Sequence, residues 1–342
     1  MKKIGVLTGG ADCPGLNSVI RAVVRKGMQD GYVVTGIKNG WMGLIENDMK
    51  VLDLRRTSGI LDRGGTILGT SRLIPPLKEE QLELMTENFK RNGMDALIAV
   101  GGEDTLKIGL DLYKRSSFPV IGVPKSIDNA LSGTDYAFGF DTAVNIATEC
   151  IDRLHTTAES HHRIIVIEVM GRYTGWIALQ AGIAGGADII LVPEYPVDID
   201  EVCETLKARH ERGKFFSIVV ISEGVKVKGH SVDDKKGEGP HSRHHIGRVG
   251  ELIADLVEDK TGYETRVSVL GHIQRGGTPT AYDRIIGTQF GFKAVELVQE
   301  KKFGQMVSLQ DNKLGSVSIA KAVKEHKTID KELYEVAKVV SG

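Results

Sequence analysis

Cysteine is scarce in this chain of 342 residues, and long apolar runs are missing. The three cysteines, Cys13, Cys150 and Cys203, stand far apart, which argues against a disulfide framework or a zinc site and for a reducing compartment. No apolar run approaches the roughly 20 residues that a membrane-spanning helix needs. The opening residues, MKKIGVLTGG, reach glycine too early to hold the apolar part of a signal peptide. We therefore expect a cytoplasmic protein with no membrane partner.

An excess of charge of either sign is also absent. The 44 lysines and arginines nearly balance the 45 aspartates and glutamates, for a formal net charge of −1. Binding to nucleic acid is therefore not expected, because it rests on clustered positive charge. Hydrophobic residues make up 41% of the chain, so it can bury a sizeable core, and its length suits about two domains.

Short apolar runs alternate with helical patterns along the chain. Candidate strands cover residues 4–7, 33–37, 96–100, 120–123, 164–169, 189–192, 216–221 and 267–270. These runs are continuously apolar, which is typical of parallel strands that helices cover on both faces. The sequence therefore predicts an α/β fold of two doubly wound, Rossmann-like domains with mainly parallel sheets. The polar segment 226–245, KVKGHSVDDKKGEGPHSRHH, has no strong metal-binding spacing and is predicted to be an exposed loop.

Four turns point to phosphate chemistry at the ends of strands. They are TGGADCPGLN (8–17), GGTILGTSR (64–72), GGEDT (101–105) and VPKSIDN (123–129). Glycine at the start of a helix lets backbone N–H groups approach a phosphate. Neither the P-loop nor the GxGxxG pattern is present, and each turn alone is equally well explained as a solvated corner. Four of them in one α/β chain make coincidence improbable.

Two of these turns carry charged side chains whose types suit phosphoryl transfer. Glu103 and Asp104 would repel an anion at their helix start, unless a metal ion lies between them and a phosphate. In the fourth turn a lysine, a hydroxyl and a carboxylate, Lys125, Ser126 and Asp128, occur within four residues. The lysine would neutralise phosphate and the carboxylate would accept the proton of an alcohol.

The chain resembles the phosphofructokinases over nearly its whole length. The matching stretches occur in the family's order and are IGVLTGGADCPGLN, GGTILGTSR, VGGEDTL, PKSIDN, FGFDTA, SHHRIIVIEVMGR, AGGADIILVPE, ISEG and ETRVSVLGHIQRGG. The resemblance implies transfer of a phosphoryl group to the 1-hydroxyl of fructose 6-phosphate in glycolysis, with Mg²⁺, by a homodimer or homotetramer with shared active sites. It also implies a phosphoryl-donor domain, residues 1–140 with about 262–305, and a sugar-phosphate domain, residues 141–261 with about 306–342.

The resemblance assigns roles to individual residues. Asp128 would be the general base, Ser126 would orient it, and Glu103 would be the metal ligand. Lys125, Arg72 and Arg172 are also expected to be catalytic, and the two arginines would stabilise charge on the transferred phosphoryl group. The expected substrate contacts are Gly10, Ala11 and Asp104 at the donor, Met170, Gly171 and Glu223 along the sugar, and Arg163, Arg266, His272 and Arg275 on the 6-phosphate. Arg163 and Arg266 would reach in from a neighbouring subunit. Without the family match, His272 reads as a buried histidine, Met170 as plain core and Arg163 as part of a surface basic cluster.

Two positions in the turns bear on the phosphoryl donor. Members that use ATP typically have glycine at the positions of Asp104 and Lys125, whereas members that use inorganic pyrophosphate typically have aspartate and lysine. A carboxylate at 104 would repel the α-phosphate of ATP, and Lys125 would supply a cation to the shorter donor. Ile108 is expected to add bulk where a nucleotide would lie. The resemblance therefore favours pyrophosphate, in a reaction that should run readily in both directions.

Two departures from the family pattern leave alternatives open. Ala11 replaces a usual glycine, and a methyl group there is expected to crowd the phosphate or shift the turn, particularly if a positive φ is needed. Ala130 replaces an aspartate near the metal, which would leave the remaining acids to hold the ion. An ATP-dependent enzyme and a non-catalytic regulatory homologue that binds sugar phosphate therefore remain alternatives. Other sugar phosphates, such as sedoheptulose 7-phosphate, also remain possible substrates.

Overall fold

The computed structural model describes residues 2–230 and 247–341, so most of the predicted 226–245 loop lies outside the described residues. The chain forms two compact units. The first unit comprises Met1–Thr142 and Arg275–His326, and the second comprises Ala143–Gln274 and Lys327–Gly342. Among the described residues, no helix is both long enough and apolar enough to cross a membrane.

The first unit is built on a seven-stranded sheet in the order β11-β10-β5-β4-β1-β2-β3. Its strands are β1 (Lys3–Gly9), β2 (Val33–Ile37), β3 (Met49–Leu52), β4 (Ala96–Gly101), β5 (Val120–Pro124), β10 (Gln305–Gln310) and β11 (Lys313–Ser318). Only β3 and β11, at the two edges, run antiparallel to their neighbours. The central strands β4 and β5 are buried along their whole length, which is why their sequences are continuously apolar.

Helices surround this sheet. They are α1 (Leu16–Gln29), α2 (Trp41–Ile45), α3 (Glu79–Arg91), α4 (Glu103–Ser116), α9 (Ala281–Gln299) and α10 (Ile319–Ala322). A longer helix, α5 (Phe140–His161), begins in the first unit and continues into the second. The buried carboxylate of Asp283 in α9 caps the start of α5, because it accepts hydrogen bonds from the backbone N–H groups of Gly139 (2.8 Å) and Thr142 (2.9 Å).

The second unit has a four-stranded, fully parallel sheet in the order β7-β8-β6-β9. Its strands are β6 (Ile164–Val169), β7 (Ile189–Leu191), β8 (Ser217–Ser222) and β9 (Thr265–Val269). Its further helices are α6 (Trp176–Ala184), α7 (Ile199–Glu211), α8 (Arg248–Thr261) and α11 (Lys331–Val340), and a 3₁₀-helix covers Gly271–Arg275. The predicted α/β class with mainly parallel sheets is confirmed.

The bounds of the units differ from the predicted domains in the last third of the chain. Residues 262–274 belong to the second unit, because β9 pairs with β6. Residues 306–326 belong to the first unit, because β10 pairs with β5 and β11 pairs with β10. The predicted break near residue 140 lies close to the observed one at Thr142.

Candidate active site

Three of the four turns lie at one edge of the first sheet. Strands β5, β4 and β1 are neighbours and parallel, so their carboxyl ends lie side by side. The turns that follow them contain Lys125, Glu103 and Gly10 respectively. The remaining turn, residues 64–72, is joined to the turn after β1, since the N–H of Gly10 donates to the Ser71 carbonyl (3.1 Å) and the Thr70 hydroxyl donates to the Gly10 carbonyl (2.6 Å). We call the polar groups of this edge, Gly10, Ala11, Lys125, Ser126 and Asp128, the turn edge.

Glycine is required at this edge because a buried threonine packs against two strand ends. A Cβ atom on Gly9 would lie 2.6 Å from the Oγ1 atom of Thr105, and one on Gly101 would lie 2.4 Å from the Thr105 Cβ atom. The indole N–H of Trp41 donates to the Thr105 carbonyl (3.2 Å), and this bond holds the first turn of α4 in place. The glycines in TGG and GGEDT therefore bring the two turns close together.

The first turn accommodates Ala11 without strain. The left-handed position falls on Gly10, whose φ is 75°, and Ala11 is exposed. The positive φ that would have strained a methyl group at position 11 therefore lies at Gly10 instead. The Ala11 carbonyl has a specific role, because it accepts a hydrogen bond from the Nζ atom of Lys125.

The side chain of Lys125 extends across the ends of the strands, from the turn after β5 to the turn after β1. Its backbone N–H donates to the Gly101 carbonyl of β4 (3.1 Å), and its ammonium group reaches the Ala11 carbonyl beyond β1. The residue is only 6% exposed, and this burial lowers the pKa of its ammonium group. The nearby positive charge of Arg275 lowers the pKa further, whereas Asp128 raises it. A phosphate anion would favour the charged form of this lysine.

Asp128 is oriented by its neighbours in PKSIDN. The Ser126 hydroxyl donates to the Oδ1 atom of Asp128. The next residue, Asn129, is buried with a left-handed backbone (φ 50°). Its side chain donates to the Asp135 carbonyl (3.1 Å) and accepts from the Ala137 N–H (3.0 Å). These bonds replace those that a regular strand would make, and they hold the carboxylate of Asp128 at the strand end.

The two acids of GGEDT form the first turn of α4. Glu103 is about one-third exposed, and its two oxygens face the Nζ atom of Lys107 at 2.5 Å and the Nδ1 atom of His326 at 3.6 Å. Among the described residues, no group of three or more acidic, histidine or cysteine side chains is arranged to hold a metal ion by itself. A single carboxylate at a phosphate-binding edge nevertheless suits Mg²⁺, which commonly takes one or two carboxylates together with substrate phosphates and waters.

Several residues near the turn edge differ in exposure. Arg72 is exposed, and Arg275 is half-buried. Ile108 is only 1% exposed and belongs to the hydrophobic core of the first unit, together with Trp41. The expectation that Ile108 adds bulk to a nucleotide pocket is therefore wrong, because its side chain is packed among core residues.

The second unit has its own set of predicted residues at the carboxyl ends of β6 and β8. Gly171 has a φ of 142°, and a Cβ atom there would lie 2.3 Å from the Oγ atom of Ser222. Its N–H donates to the carboxylate of Glu223 (3.4 Å), and the buried Met170 donates its N–H to Gln274 (3.2 Å). The three residues predicted to line the sugar therefore lie together.

Two further predicted residues of this unit project into solvent. Arg172 is exposed and its guanidinium lies 5.1 Å from the centre of the Tyr173 ring. His272 follows β9 and is exposed, so it is not the buried core histidine that the sequence alone suggests. Both positions leave the side chain accessible to a charged ligand.

Arg163 and Arg266 lie at the opposite, amino-terminal end of the same sheet. Arg163 precedes β6 and Arg266 is the second residue of β9, where Ile164 pairs with Thr265. Because Arg163 lies seven residues before Met170 along β6, it is about 23 Å along the strand from Met170. Glu264 forms ion pairs with both arginines. We call Arg163, Glu264 and Arg266 the arginine cluster.

The phosphofructokinase family model matches residues 3–298. The chain belongs to the phosphofructokinase family. It is 50% identical, over 99% of this chain and 100% of the relative, to a pyrophosphate–fructose 6-phosphate 1-phosphotransferase of Streptomyces coelicolor. It is also 47% identical, over 99% of both chains, to an ATP-dependent 6-phosphofructokinase 3 of the same organism. The phosphofructokinase of Saccharomyces cerevisiae has a similar solved structure, with a TM-score of 0.82 and 31% identity over 99% of this chain and 47% of the yeast chain.

Sequence reasoning missed three residues that organise this phosphofructokinase. Asn129 lies inside the matched stretch PKSIDN, and Thr105 lies inside VGGEDTL. Both stretches can be recognised in the sequence, but the pattern assigns neither residue a role. Glu264 is the first residue of ETRVSVLGHIQRGG. Its importance depends on the pairing of β6 with β9, which the sequence does not specify.

Proposed function

We propose that this phosphofructokinase transfers a phosphoryl group from inorganic pyrophosphate to the 1-hydroxyl of fructose 6-phosphate. The observation that carries the proposal is the placement of Lys125 and Asp104. The buried ammonium of Lys125 lies at the turn that follows β1, and Asp104 lies in the first turn of α4 beside it. Relatives of both donor classes are nearly equally similar overall, so these local features decide the proposal.

Lys125 gives the turn edge a cation that can attract a phosphoryl donor that has no nucleoside. Its ammonium is anchored by the Ala11 carbonyl, and a point charge held in place suits the small, highly charged pyrophosphate. Asp104 has the opposite effect on a longer donor, since its carboxylate would repel an α-phosphate. Two unit charges 4 Å apart interact by about 4 kcal/mol at an effective dielectric constant of 20.

Asp128 accepts the proton of the sugar's 1-hydroxyl in this proposal. Ser126 donates to one carboxylate oxygen and so orients the group that would take up the proton. This arrangement speaks against a purely regulatory homologue, because a chain that only binds sugar phosphate has no use for an oriented base. The reverse reaction uses the same carboxyl group as the acid that returns the proton to the leaving oxygen.

Magnesium would be held by Glu103 together with the phosphates of the donor. When bound, it would neutralise negative charge on the phosphoryl oxygens. Ala130 contributes no carboxylate here, so Glu103 is the principal protein ligand. Arg72, Arg172 and Lys125 would supply the remaining positive charge.

In this proposal the sugar phosphate is bound by the residues that the family resemblance assigns to it. Met170, Gly171 and Glu223 contact the sugar, and His272 and Arg275 contact its 6-phosphate. Arg163 and Arg266 would contact the 6-phosphate in a neighbouring subunit. The separation of the arginine cluster from Met170 along β6 supports this division, since one strand cannot present both ends to a single small ligand.

The donor ratio tests the proposal. Wild-type kcat/KM should be higher with pyrophosphate than with ATP by orders of magnitude, and Asp104→Gly with Lys125→Gly should reverse or collapse that ratio. Asp104→Asn keeps the volume but removes the charge, so it separates repulsion from steric exclusion. Both donors are assayed on the same sample, so loss of folded protein does not alter the ratio. A wild-type preference for ATP would overturn the donor assignment.

A further inference from the structure

The arginine cluster is joined by the backbone as well as by side chains. The N–H of Ile164 donates to the Glu264 carbonyl (3.0 Å), which aligns the first residues of β6 and β9. This pairing places Arg163 and Arg266 on either side of Glu264. One oxygen of Glu264 lies 2.7 Å from the Nε atom of Arg163, and the other accepts from the Nη2 atom of Arg266. A single carboxylate therefore contacts both guanidinium groups.

The cluster leaves guanidinium nitrogens available on its solvent side. Arg163 is about 31% exposed and Arg266 about 54%. Arg163 makes its ion pair with Glu264 through Nε. Arg266 also donates from Nη1 to the Thr265 carbonyl (2.8 Å), which limits its rotation. Each guanidinium has five N–H donors, so both retain donors for a phosphate.

Two neighbouring guanidinium groups repel each other unless an anion lies between them. They also belong to long side chains that lose conformational freedom when they are ordered. Glu264 counters both effects, and contact with Arg163 holds the pKa of its carboxyl group below the usual range. The carboxylate therefore remains ionised when the arginines are free of ligand.

We propose that Glu264 is a positioning residue that holds Arg163 and Arg266 as one preformed site for the phosphate monoester of the sugar substrate. The inference rests on the proposed function, because that function gives the two arginines their ligand. Glu264 itself would not touch the phosphate, since its two oxygens are taken by the guanidinium groups. Its contribution is to have the arginines ordered before substrate arrives.

An opposite role would give an opposite result. If Glu264 instead competed with the phosphate for the arginines, removing its charge would tighten sugar-phosphate binding. If it only supported the sheet, its removal would lower the stability of the fold without a specific effect on KM. The kinetic experiment separates these three outcomes by sign and by substrate.

The test compares Glu264→Gln with Glu258→Gln. Glu258 lies 3.9 Å from Arg266 and also accepts a hydrogen bond from the Thr265 N–H (3.1 Å), which a glutamine oxygen can accept as well, so it is the matched control. Glu264→Gln should raise KM for fructose 6-phosphate by about two- to fivefold, the range expected for the loss of exposed ion pairs. Its kcat at saturating sugar, its KM for pyrophosphate and its Tm should stay near wild type. Glu258→Gln should leave all four quantities unchanged.

A double-mutant cycle shows whether Glu264 acts through the arginines. In an Arg163→Ala, Arg266→Ala background, Glu264→Gln should raise KM no further, because there is nothing left to position. Additive effects in this cycle, or a lower KM in the single Glu264→Gln variant, would overturn the positioning role.

The arginine variants separate this inference from the function on which it rests. If neither Arg163→Ala nor Arg266→Ala raises KM for fructose 6-phosphate, the proposed ligand of the cluster is wrong. If both raise KM but Glu264→Gln does not, the function stands and the positioning role alone fails.

Discussion

The turn edge and the arginine cluster hold their charged groups in different ways. At the turn edge, Lys125 is buried and bound to a backbone carbonyl, and Asp128 is followed by a buried asparagine that fixes the loop. In the arginine cluster, the charges are half-exposed and contact one another through side chains. Buried contacts with the backbone keep a reacting group in place throughout turnover, whereas exposed ion pairs are individually weak and screened by salt. The turn edge should therefore govern turnover, and the arginine cluster should govern affinity.

The largest expected effect comes from Asp128→Asn at the turn edge. The amide keeps the shape of the side chain but cannot take up the hydroxyl proton, so kcat should fall by about 10²–10⁴-fold. The dissociation constant for fructose 6-phosphate should change little. Steady-state kinetics together with equilibrium binding of the sugar phosphate measure the two quantities.

Arg163→Ala is the contrasting variant for this measurement. It should weaken sugar-phosphate binding and leave kcat at saturation near wild type. A decrease in kcat of less than threefold in Asp128→Asn would show that Asp128 is not the base. Equal effects of both variants on kcat would show that the turn edge does not govern turnover separately from the arginine cluster.

A smaller effect is expected on how the free energy of unfolding changes with pH. It compares two carboxylates that each contact a distant part of the chain, Asp283 in the first unit and Glu264 in the second. Burial raises the pKa of Asp283 from 3.8 to about 6, despite its hydrogen bonds with Thr142 and Gly139. The folded protein therefore holds this proton more tightly than the unfolded chain. The resulting stabilisation is full below the unfolded pKa and is lost as pH rises through about 6.

The difference in unfolding free energy between wild type and Asp283→Asn measures this linkage. Asparagine does not titrate, so between pH 4.5 and 7 the difference should shift in favour of the variant by about 2 kcal/mol. Glu264→Gln should not show this shift, because contact with Arg163 lowers the pKa of Glu264 and any change with rising pH would favour wild type. A pH-independent difference for Asp283→Asn would mean that the buried carboxyl group keeps its ordinary pKa.

The smallest effect is expected at Ala130, in the loop that follows Asp128. Restoring the acid with Ala130→Asp should lower the magnesium concentration needed for half-maximal activity several-fold, because it adds a carboxylate near the proposed ion. The KM for fructose 6-phosphate should not change, since the arginine cluster is untouched. Activity should vanish on chelation and return when magnesium is added back. An unchanged magnesium requirement would show that position 130 does not contribute to the ion site.

Much of the fold could be predicted because its central strands are buried on both faces. β1, β4, β5, β6 and β8 all appear in the sequence as continuous apolar runs. The edge and near-edge strands β3, β10 and β11 were missed, since polar residues such as Lys50 and Ser316 interrupt their apolar pattern. The predicted domain bounds differ from the observed units for the same reason, because residues 306–326 belong to the first unit through β10 and β11.

The candidate site was less predictable than the fold. The turns could be found from glycine and charge, and three of them do meet at one sheet edge. What the sequence could not show is which atom each side chain contacts. The path of Lys125 to the Ala11 carbonyl depends on the order of β5, β4 and β1, and the bridging role of Glu264 depends on the register of β6 with β9. Both are long-range properties that no local pattern specifies.

The route of Lys125 across the sheet edge also bears on how donor preference evolves. Replacing Lys125 leaves the Ala11 carbonyl without its partner and removes buried methylene groups, so the change destabilises the fold before it alters chemistry. Asp104 is half-buried in the first turn of α4, so its replacement by glycine should cost the fold less than the loss of a buried lysine. Lineages that move between donors should therefore change position 104 first and pass through intermediates that combine glycine at 104 with the retained lysine. Such intermediates would accept both donors, so the ancestral state between the two classes is expected to be a generalist.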